Sequence, residues 1–243
     1  KSNFNRCEGL MGFLVNSFIE FPAASFSPDD ISDLTIWYDF SEVGTITKDG
    51  SNRVSAVDDK SDSNYDLAQA TSGSQPLWVN ADKNSLDIID FDSSRFMGST
   101  FDEIDQPTTM VFACVIPATN NLSITGNPTG SSSQNLKTST TGAITCETSG
   151  SVTSSSVSGL NDTWRVVVVV GNDSSSKIYI DGIDRTTGSP DMSGGIINWL
   201  LAAEDPTGGY SDSKMGEVIV YAKALNATEI GQLQTYLSDK WDI

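Results

Sequence analysis

The sequence contains no histidine, so it lacks the side chain that most often transfers protons in catalysis. This absence excludes Ser-His-Asp and Cys-His nucleophilic sites and leaves only carboxylate, lysine or tyrosine chemistry. There are three cysteines, Cys7, Cys114 and Cys146, with no C-x-x-C spacing, and without histidine they do not complete a zinc site. Cys114 lies in an apolar run, which favours a small buried thiol, while a Cys114–Cys146 disulfide stays open.

Basic residues are scarce. The 14 Lys and Arg face 32 Asp and Glu, giving a net charge of −18 and an isoelectric point near 4.1. A surface of this charge repels phosphate, so we expect neither nucleic acid nor an anionic membrane as a partner. No apolar run approaches the roughly 20 residues that cross a bilayer. The acidity favours solubility, and it also supplies oxygen ligands for a cation such as Ca²⁺.

Short stretches of β-forming residues run through most of the 243-residue chain, separated by Gly, Asn, Asp and Ser clusters. They predict strands at 34–40, 52–57, 86–91, 108–116, 122–125, 142–147, 164–171, 177–181, 197–203 and 215–222. Helices do not alternate with them, which indicates one antiparallel sandwich rather than a parallel sheet. The Ser/Thr-rich stretch 126–161 keeps enough alternation to predict exposed strands and not a linker.

Two local patterns are more specific. Residues 170–183 read as strand, polar loop, strand and tight turn, which predicts a β-hairpin. Near the C-terminus, Asn226 and Glu229 form a capping-box pattern. Apolar residues then recur at helical spacing, and they predict a helix that packs against the sandwich: Ile230, Leu233, Leu237 and Trp241.

Residues 1–30 form a separate segment, an extended arm followed by a Pro-containing hinge. Its apolar side chains are the candidate partner-binding residues: Phe13, Leu14, Val15, Phe18, Ile19 and Phe21. The arm either docks onto another protein or forms an outer strand of the same sandwich, and the sequence leaves both interpretations open.

Several motifs, in order, resemble laminin-G-like domains of the concanavalin-A-like lectin/glucanase class, of the kind found in phage virion and bacterial surface proteins. They are LTIWYDF at 34–40, VDDKSD at 57–62 with QP at 75–76, Trp164 with YIDG at 179–182, and GEVIVY at 216–221 with the helix that follows. The resemblance covers roughly residues 33–243. It implies an all-β, two-sheet antiparallel jelly-roll sandwich over residues 31–243, with an N-terminal extended arm and one short C-terminal helix.

We predict no catalytic residues. A glycosidase needs two carboxyls about 5 to 9 Å apart, and among Asp87, Asp90 and Asp92 only the last two share a strand face. The Glu-x-Asp-x-x-Glu type of motif found in hydrolytic members of the family is absent. Glu217 points into a cleft or to solvent depending on a strand register that the sequence leaves open.

Binding sites are the alternative to catalysis. No cofactor is required, but Ca²⁺ could be held by loop acids, with Asp59, Asp62, Asp173 and Asp181 as the candidate ligands. Aromatic rings in loops suit sugar stacking. The candidates are Tyr210 and Trp78, whereas Trp199 has apolar neighbours and is expected in the core.

The leading hypothesis is a non-enzymatic protein on the surface of a phage virion, as capsid decoration or tail component, attached through its arm. Its expected partners are other virion proteins, in a homo-oligomer or symmetric array. The first alternative is an extracellular or cell-surface module that binds host polysaccharide, and the second is a polysaccharide hydrolase or lyase.

Overall fold

The computed structural model describes residues 26–92, 94–116, 123–126, 135–138, 143–148, 151–155, 162–188, 192 and 194–243. The strands are β1 Leu34–Asp39, β2 Ile46–Lys48, β3 Val54–Val57, β4 Leu67–Ala68, β5 Leu77–Lys83, β6 Leu86–Phe91, β7 Met97–Ser99, β8 Thr108–Ile116, β9 Thr125–Gly126, β10 Asn135–Thr138, β11 Ile144–Thr148, β12 Ser151–Ser155, β13 Thr163–Gly171, β14 Lys177–Ile180, β15 Ile183–Asp184, β16 Thr186–Thr187, β17 Trp199–Leu201 and β18 Ser213–Tyr221. Helix α1 spans Ala227–Trp241, and short 3-10 helices span Pro28–Asp30, Val43–Thr45 and Ser72–Ser74.

The large sheet has eight strands in the order β15-β14-β13-β8-β18-β6-β5, with β1 added beside β18. On the edge of β18 that faces away from β8, the first residues pair with β6 and the last with β1. The opposing layer consists of a six-stranded sheet, β2-β3-β4-β7-β17-β9, and a four-stranded sheet, β10-β11-β12-β16. All pairings between these strands are antiparallel, so the predicted all-β antiparallel sandwich is confirmed.

The central strands of the large sheet are buried on both faces over much of their length, which explains why they are continuous apolar runs. In β13, Val167 and Val169 point into the core between the sheets, while Val166 and Val168 point to the other face. That second face is covered by α1 through Ile230, Leu233, Leu237 and Trp241. The helical stripe predicted from the sequence is therefore the contact surface of the helix.

The ends of α1 and the central hairpin also follow the sequence. The side chain of Asn226 accepts hydrogen bonds from the backbone N–H groups of Thr228 and Glu229, and Glu229 accepts one from the backbone N–H of Asn226. This is the predicted capping box. Strands β13 and β14 pair from Val170 with Lys177 onward, which confirms the hairpin.

A bulge at Gly216 decides which side chains of β18 face the helix. Met215 lies in the core between the sheets, yet Ile219, four residues later, lies on the helix side. In a regular strand both would share one face, but the pairing of β18 with β8 shifts register between Met215 and Glu217. A Cβ atom on Gly216 would lie 2.7–2.8 Å from the Trp241 ring, so glycine also lets the helix approach.

The stretch 126–161 contributes strands β10 to β12, as predicted, but Leu136, Ile144 and Cys146 are buried in the core, so β10 and β11 are not simply exposed. Cys114 and Cys146 are both buried, and Cys114 is a free thiol, so the two do not form a disulfide with each other. Burial raises the pKa of Cys114 to about 12. Within the described part of the chain, no helix has the length and apolar character needed to span a membrane.

Candidate functional site

A row of outward-pointing side chains, two of them charged, crosses the outer face of the large sheet beyond the C-terminal end of α1. In β6, β18 and β8 the residues on either side of the row residue are buried, so Asp90, Lys214 and Val115 point outward. Lys214 pairs with Asp90, and Val115 pairs with Trp164. Four strands that are distant in sequence (β6, β18, β8 and β13) thus place their side chains on one surface.

These residues line a cleft of about 330 Å³, hereafter the rim cleft, together with two acids from adjoining loops, Asp162 and Asp212. Both loop acids are exposed. Trp164 forms the wall nearest the helix, and its ring stacks on that of Trp241 with a centroid distance of 5.8 Å and an interplanar angle of 4°. Because Trp241 is fully buried, this stack holds the Trp164 ring in a fixed orientation.

The rim cleft is acidic. Burial raises the pKa of Asp90 above its ordinary value, and Lys214 opposes this shift while Asp212, Asp82 and Asp92 add to it. Lys214, the one cation among the described residues of the lining, forms a 2.9 Å ion pair with Asp82. The site therefore combines several hydrogen-bond acceptors, one ammonium donor and an aromatic wall. Such a set can bind hydroxyl groups and the apolar face of a small polar ligand.

The predicted sugar-binding aromatics lie elsewhere. Tyr210 stacks on Phe96 at 5.9 Å, and its hydroxyl donates to the carbonyl of Pro206. It lies only two residues before Asp212, at the entry to β18. Trp78 packs against the main core, and the Nζ of Lys48 lies 4.3 Å from its ring centroid, so both contacts compete with a sugar. Trp199 is fully buried, as expected.

The four predicted calcium ligands have different surroundings. Asp59 is buried, and its two oxygens accept four hydrogen bonds, from the backbone N–H groups of residues 37, 61 and 65 and from the hydroxyl of Ser61. Asp181 forms a 2.7 Å ion pair with Arg165. Asp62 and Asp173 line two further clefts. Among the residues that the structure describes, no group of three or more His, Cys, Asp or Glu side chains could hold a metal ion. The predicted arm residues, 13–21, lie outside the described residues.

Glu217 points neither into an open cleft nor to solvent, because the bulge at Gly216 turns it beneath α1. Its carboxylate is fully buried and accepts four hydrogen bonds. Trp37 Nε1 donates at 2.7 Å and the Tyr236 hydroxyl at 2.9 Å to one oxygen, and Lys240 Nζ at 2.7 Å and Trp241 Nε1 at 3.3 Å to the other. The carboxylate therefore joins β1, β18 and α1.

Asp39 is the second carboxylate of this cluster. It forms ion pairs with Lys240 at 2.8 Å and Lys60 at 3.2 Å. Burial raises the pKa of Glu217, and Lys240 only partly opposes the shift. At Asp39 burial acts the same way, but Lys240, Ser41 and Lys60 outweigh it and lower the pKa. Because the four donors to Glu217 come from β1 and α1, the cluster anchors the helix to the sheet.

Sequence reasoning missed the rim cleft as a unit. In the sequence, Asp90 is a candidate only for a catalytic acid, and Trp164 belongs only to a motif of the fold. The alternation of apolar and polar residues along each strand predicts that these side chains point outward. That β6, β18, β8 and β13 lie side by side depends on the strand order, which the sequence does not show.

No protein-family model matches the chain, and no curated protein matches it. Solved structures do match. The binding domain of Paraclostridial Mosquitocidal Protein 1 has a TM-score of 0.62 at 15% identity, covering 86% of this chain and 53% of that one. Domain 4 of AbnA, a GH43 arabinanase from Geobacillus stearothermophilus in complex with arabinotriose, has a TM-score of 0.55 at 14% identity, covering 83% and 98%.

The Botulinum Neurotoxin Type G receptor binding domain has a TM-score of 0.52 at 13% identity, covering 84% of this chain and 51% of that one. The chain thus spans about half the length of the two toxin structures and nearly all of the arabinanase domain. At these identities the likeness shows the fold. This chain has the antiparallel β-sandwich fold that the sequence motifs implied.

Proposed function

We propose that this chain is a non-catalytic, lectin-like domain that binds a neutral saccharide in the rim cleft. The observation that carries the proposal is the row Asp90, Lys214 and Trp164, which offers acceptors, a donor and a fixed aromatic wall on one surface. Saccharides are recognised by this combination, because ring C–H groups pack on aromatic faces while hydroxyls bind carboxylates. A similar fold in complex with arabinotriose supports the same class of ligand.

The negative charge of the cleft restricts the kinds of saccharide that we expect it to bind. Its described lining holds the three acids Asp90, Asp162 and Asp212 and one lysine, Lys214, which is already paired to Asp82. A uronic acid, a sialic acid or a sulfated sugar would bring a further negative charge into this field and be repelled. Neutral oligosaccharides, arabino-oligosaccharides among them, are therefore the expected ligands.

The test is calorimetric titration of the full chain with a panel of neutral and acidic oligosaccharides, followed by two matched variants. Asp212→Asn removes one acceptor charge in the cleft, and Asp102→Asn makes the same change at an exposed position away from it. A hydrogen bond to a charged group contributes about 1.5–3 kcal/mol, so we expect binding to be weaker by about tenfold or more for Asp212→Asn. Asp102→Asn should bind like the parent protein.

Two results would overturn the proposal. If no neutral oligosaccharide binds, or if Asp212→Asn and Asp102→Asn bind equally well, the rim cleft is not the saccharide site. If the bound oligosaccharide is shortened during incubation, the domain is an enzyme and the second alternative, hydrolase or lyase, replaces binding alone.

We also propose that residues 1–30 attach the domain to the surface of a phage virion. The resemblance of the sequence to domains of phage virion proteins supports this role. Labelling of native particles with an antibody against the folded domain, viewed by electron microscopy, tests it. Regular labelling of a capsid or tail is the expected result, and unlabelled particles would favour an extracellular or cell-surface protein.

A further inference from the structure

A groove lies along the solvent-facing side of α1, away from the rim cleft. It has a volume of about 820 Å³ and is lined by Phe26, by residues of α1 from Thr228 to Asp239, and at one end by Lys240. Most of the lining surface is apolar: the rings of Phe26 and Tyr236 meet edge to face at 6.0 Å, and the hydroxyl of Thr235 is already used in a hydrogen bond to the carbonyl of Gly231. Gly231 has no side chain and leaves the middle of the groove open.

The groove does not take part in the packing of α1 on the sheet, and it shares no lining residue with the rim cleft. The buried stripe of α1 contacts the sheet, whereas Gly231 and Thr235 are exposed on the opposite side. An apolar groove of this size on a protein with a net charge of −18 is unlike the rest of an acidic surface. Contiguous exposed apolar surface commonly marks a binding site for another chain segment.

A candidate occupant is present in the same chain. Residues 13–21 (FLVNSFIEF) hold six large apolar side chains and only one charged residue, Glu20. They are joined to Phe26 by only the residues 22–25, which span at most about 14 Å when extended. Since Phe26 is itself a wall of the groove, the segment begins close to it at high effective concentration.

We infer that, in the free protein, the groove along α1 binds the apolar segment 13–21 of the same chain. The length of the segment fits, because nine residues can run the length of a fifteen-residue helix, about 22 Å. Its aromatic and aliphatic side chains match the lining of Phe26 and Tyr236, and the open position at Gly231 accepts a large side chain. The inference is independent of saccharide binding.

Limited proteolysis of the full chain with chymotrypsin, with each cut located by mass spectrometry, tests this inference. A synthetic peptide of residues 11–30 gives the rate for an unprotected segment. Gly231→Trp fills the groove, and Gly231→Ala is its matched control. A Cβ atom at this position meets nothing within 4 Å, so both variants should fold, which thermal melting verifies.

Cleavage after Phe18 should be about tenfold slower in the parent protein than in the peptide, because only the undocked segment is cut. Gly231→Trp should return the rate to within about twofold of the peptide, whereas Gly231→Ala should keep the parent rate. A parent rate equal to that of the peptide, or a folded Gly231→Trp variant with unchanged protection, would overturn the inference. Protection that disappears on dilution would also overturn it, because the occupant would then be the segment of a second copy.

Discussion

Replacing Glu217 with glutamine tests whether the buried carboxylate anchors α1 to the sheet. The carboxylate accepts hydrogen bonds from two donors on each oxygen, including the ammonium group of Lys240 at 2.7 Å. A glutamine amide has one oxygen, so its NH₂ group must face two donors whichever way it is oriented. Two hydrogen bonds are lost, and in one orientation Lys240 loses this carboxylate partner and keeps only Asp39.

The size of the expected loss in unfolding free energy follows from the burial of Glu217. Removing one partner of a buried ion pair commonly costs 3–5 kcal/mol, because the remaining charge is poorly compensated. For a domain of this size each kcal/mol shifts the melting temperature by about 2–4 °C. We therefore expect Glu217→Gln to lower the free energy of unfolding by about 3–5 kcal/mol and the melting temperature by about 10 °C. Glu42→Gln, the same change at an exposed site, should shift neither quantity measurably.

Urea unfolding followed by tryptophan fluorescence measures both variants, and a double-mutant cycle with Lys240→Met assigns the effect to the pair. The combined variant should lose less than the sum of the two single losses, because Lys240→Met removes the ammonium donor that loses its Glu217 partner in Glu217→Gln. If Glu217→Gln loses less than about 1 kcal/mol, the cluster does not hold the helix and the reasoning from burial fails.

Four further changes test other parts of the structure. Gly216→Ala places a methyl group against Trp241 and should destabilise the fold by about 1–3 kcal/mol in the same urea assay; an unchanged midpoint would show that α1 can shift to accommodate it. Asn226→Ala removes the helix cap and should cost about 1 kcal/mol, with faster amide exchange confined to the start of α1. The folded pKa of Asp39 is lowered, so the unfolded chain takes up its proton first. Ionised Asp39 thus stabilises the fold above the ordinary carboxyl pKa of about 3.9, and this stabilisation is lost as the pH falls toward the folded pKa. Asp39→Asn should flatten the acid limb of the stability profile, and an unchanged limb would contradict the ion pairs. Because the pKa of Asp90 is raised, saccharide binding should weaken on acidification at a higher pH than an ordinary carboxyl would allow, and Asp90→Asn should remove that dependence.

Much of the local structure was predictable. Val166–Val170 read as a central strand because an unbroken β-branched run suits a strand that is buried on both faces. Asn226 and Glu229 predicted the helix start because a capping box satisfies backbone groups within one turn. These signals are short-range, and each depends only on residues that are close along the chain.

The candidate site was not predictable in the same way. Asp90, Trp164 and Lys214 lie in three strands separated by long stretches of sequence, and they meet because β6, β18, β8 and β13 are neighbours in the sheet. From the sequence, Trp78 is a candidate for sugar stacking because it is an aromatic residue expected in a loop. In the structure it packs against the core, with Lys48 over its ring. Composition alone cannot separate an aromatic wall from a core residue.

The sequence by itself determined the all-β class, the central hairpin, the C-terminal helix with its buried stripe, and an acidic surface, because each follows from periodicity, capping or charge along the chain. Tertiary structure alone decided that Glu217 lies beneath α1 and that the rim cleft exists. The physical reason is register: one extra residue at the Gly216 bulge transfers the following side chains of β18 to the opposite face, and only pairing with β8 shows where that residue is inserted.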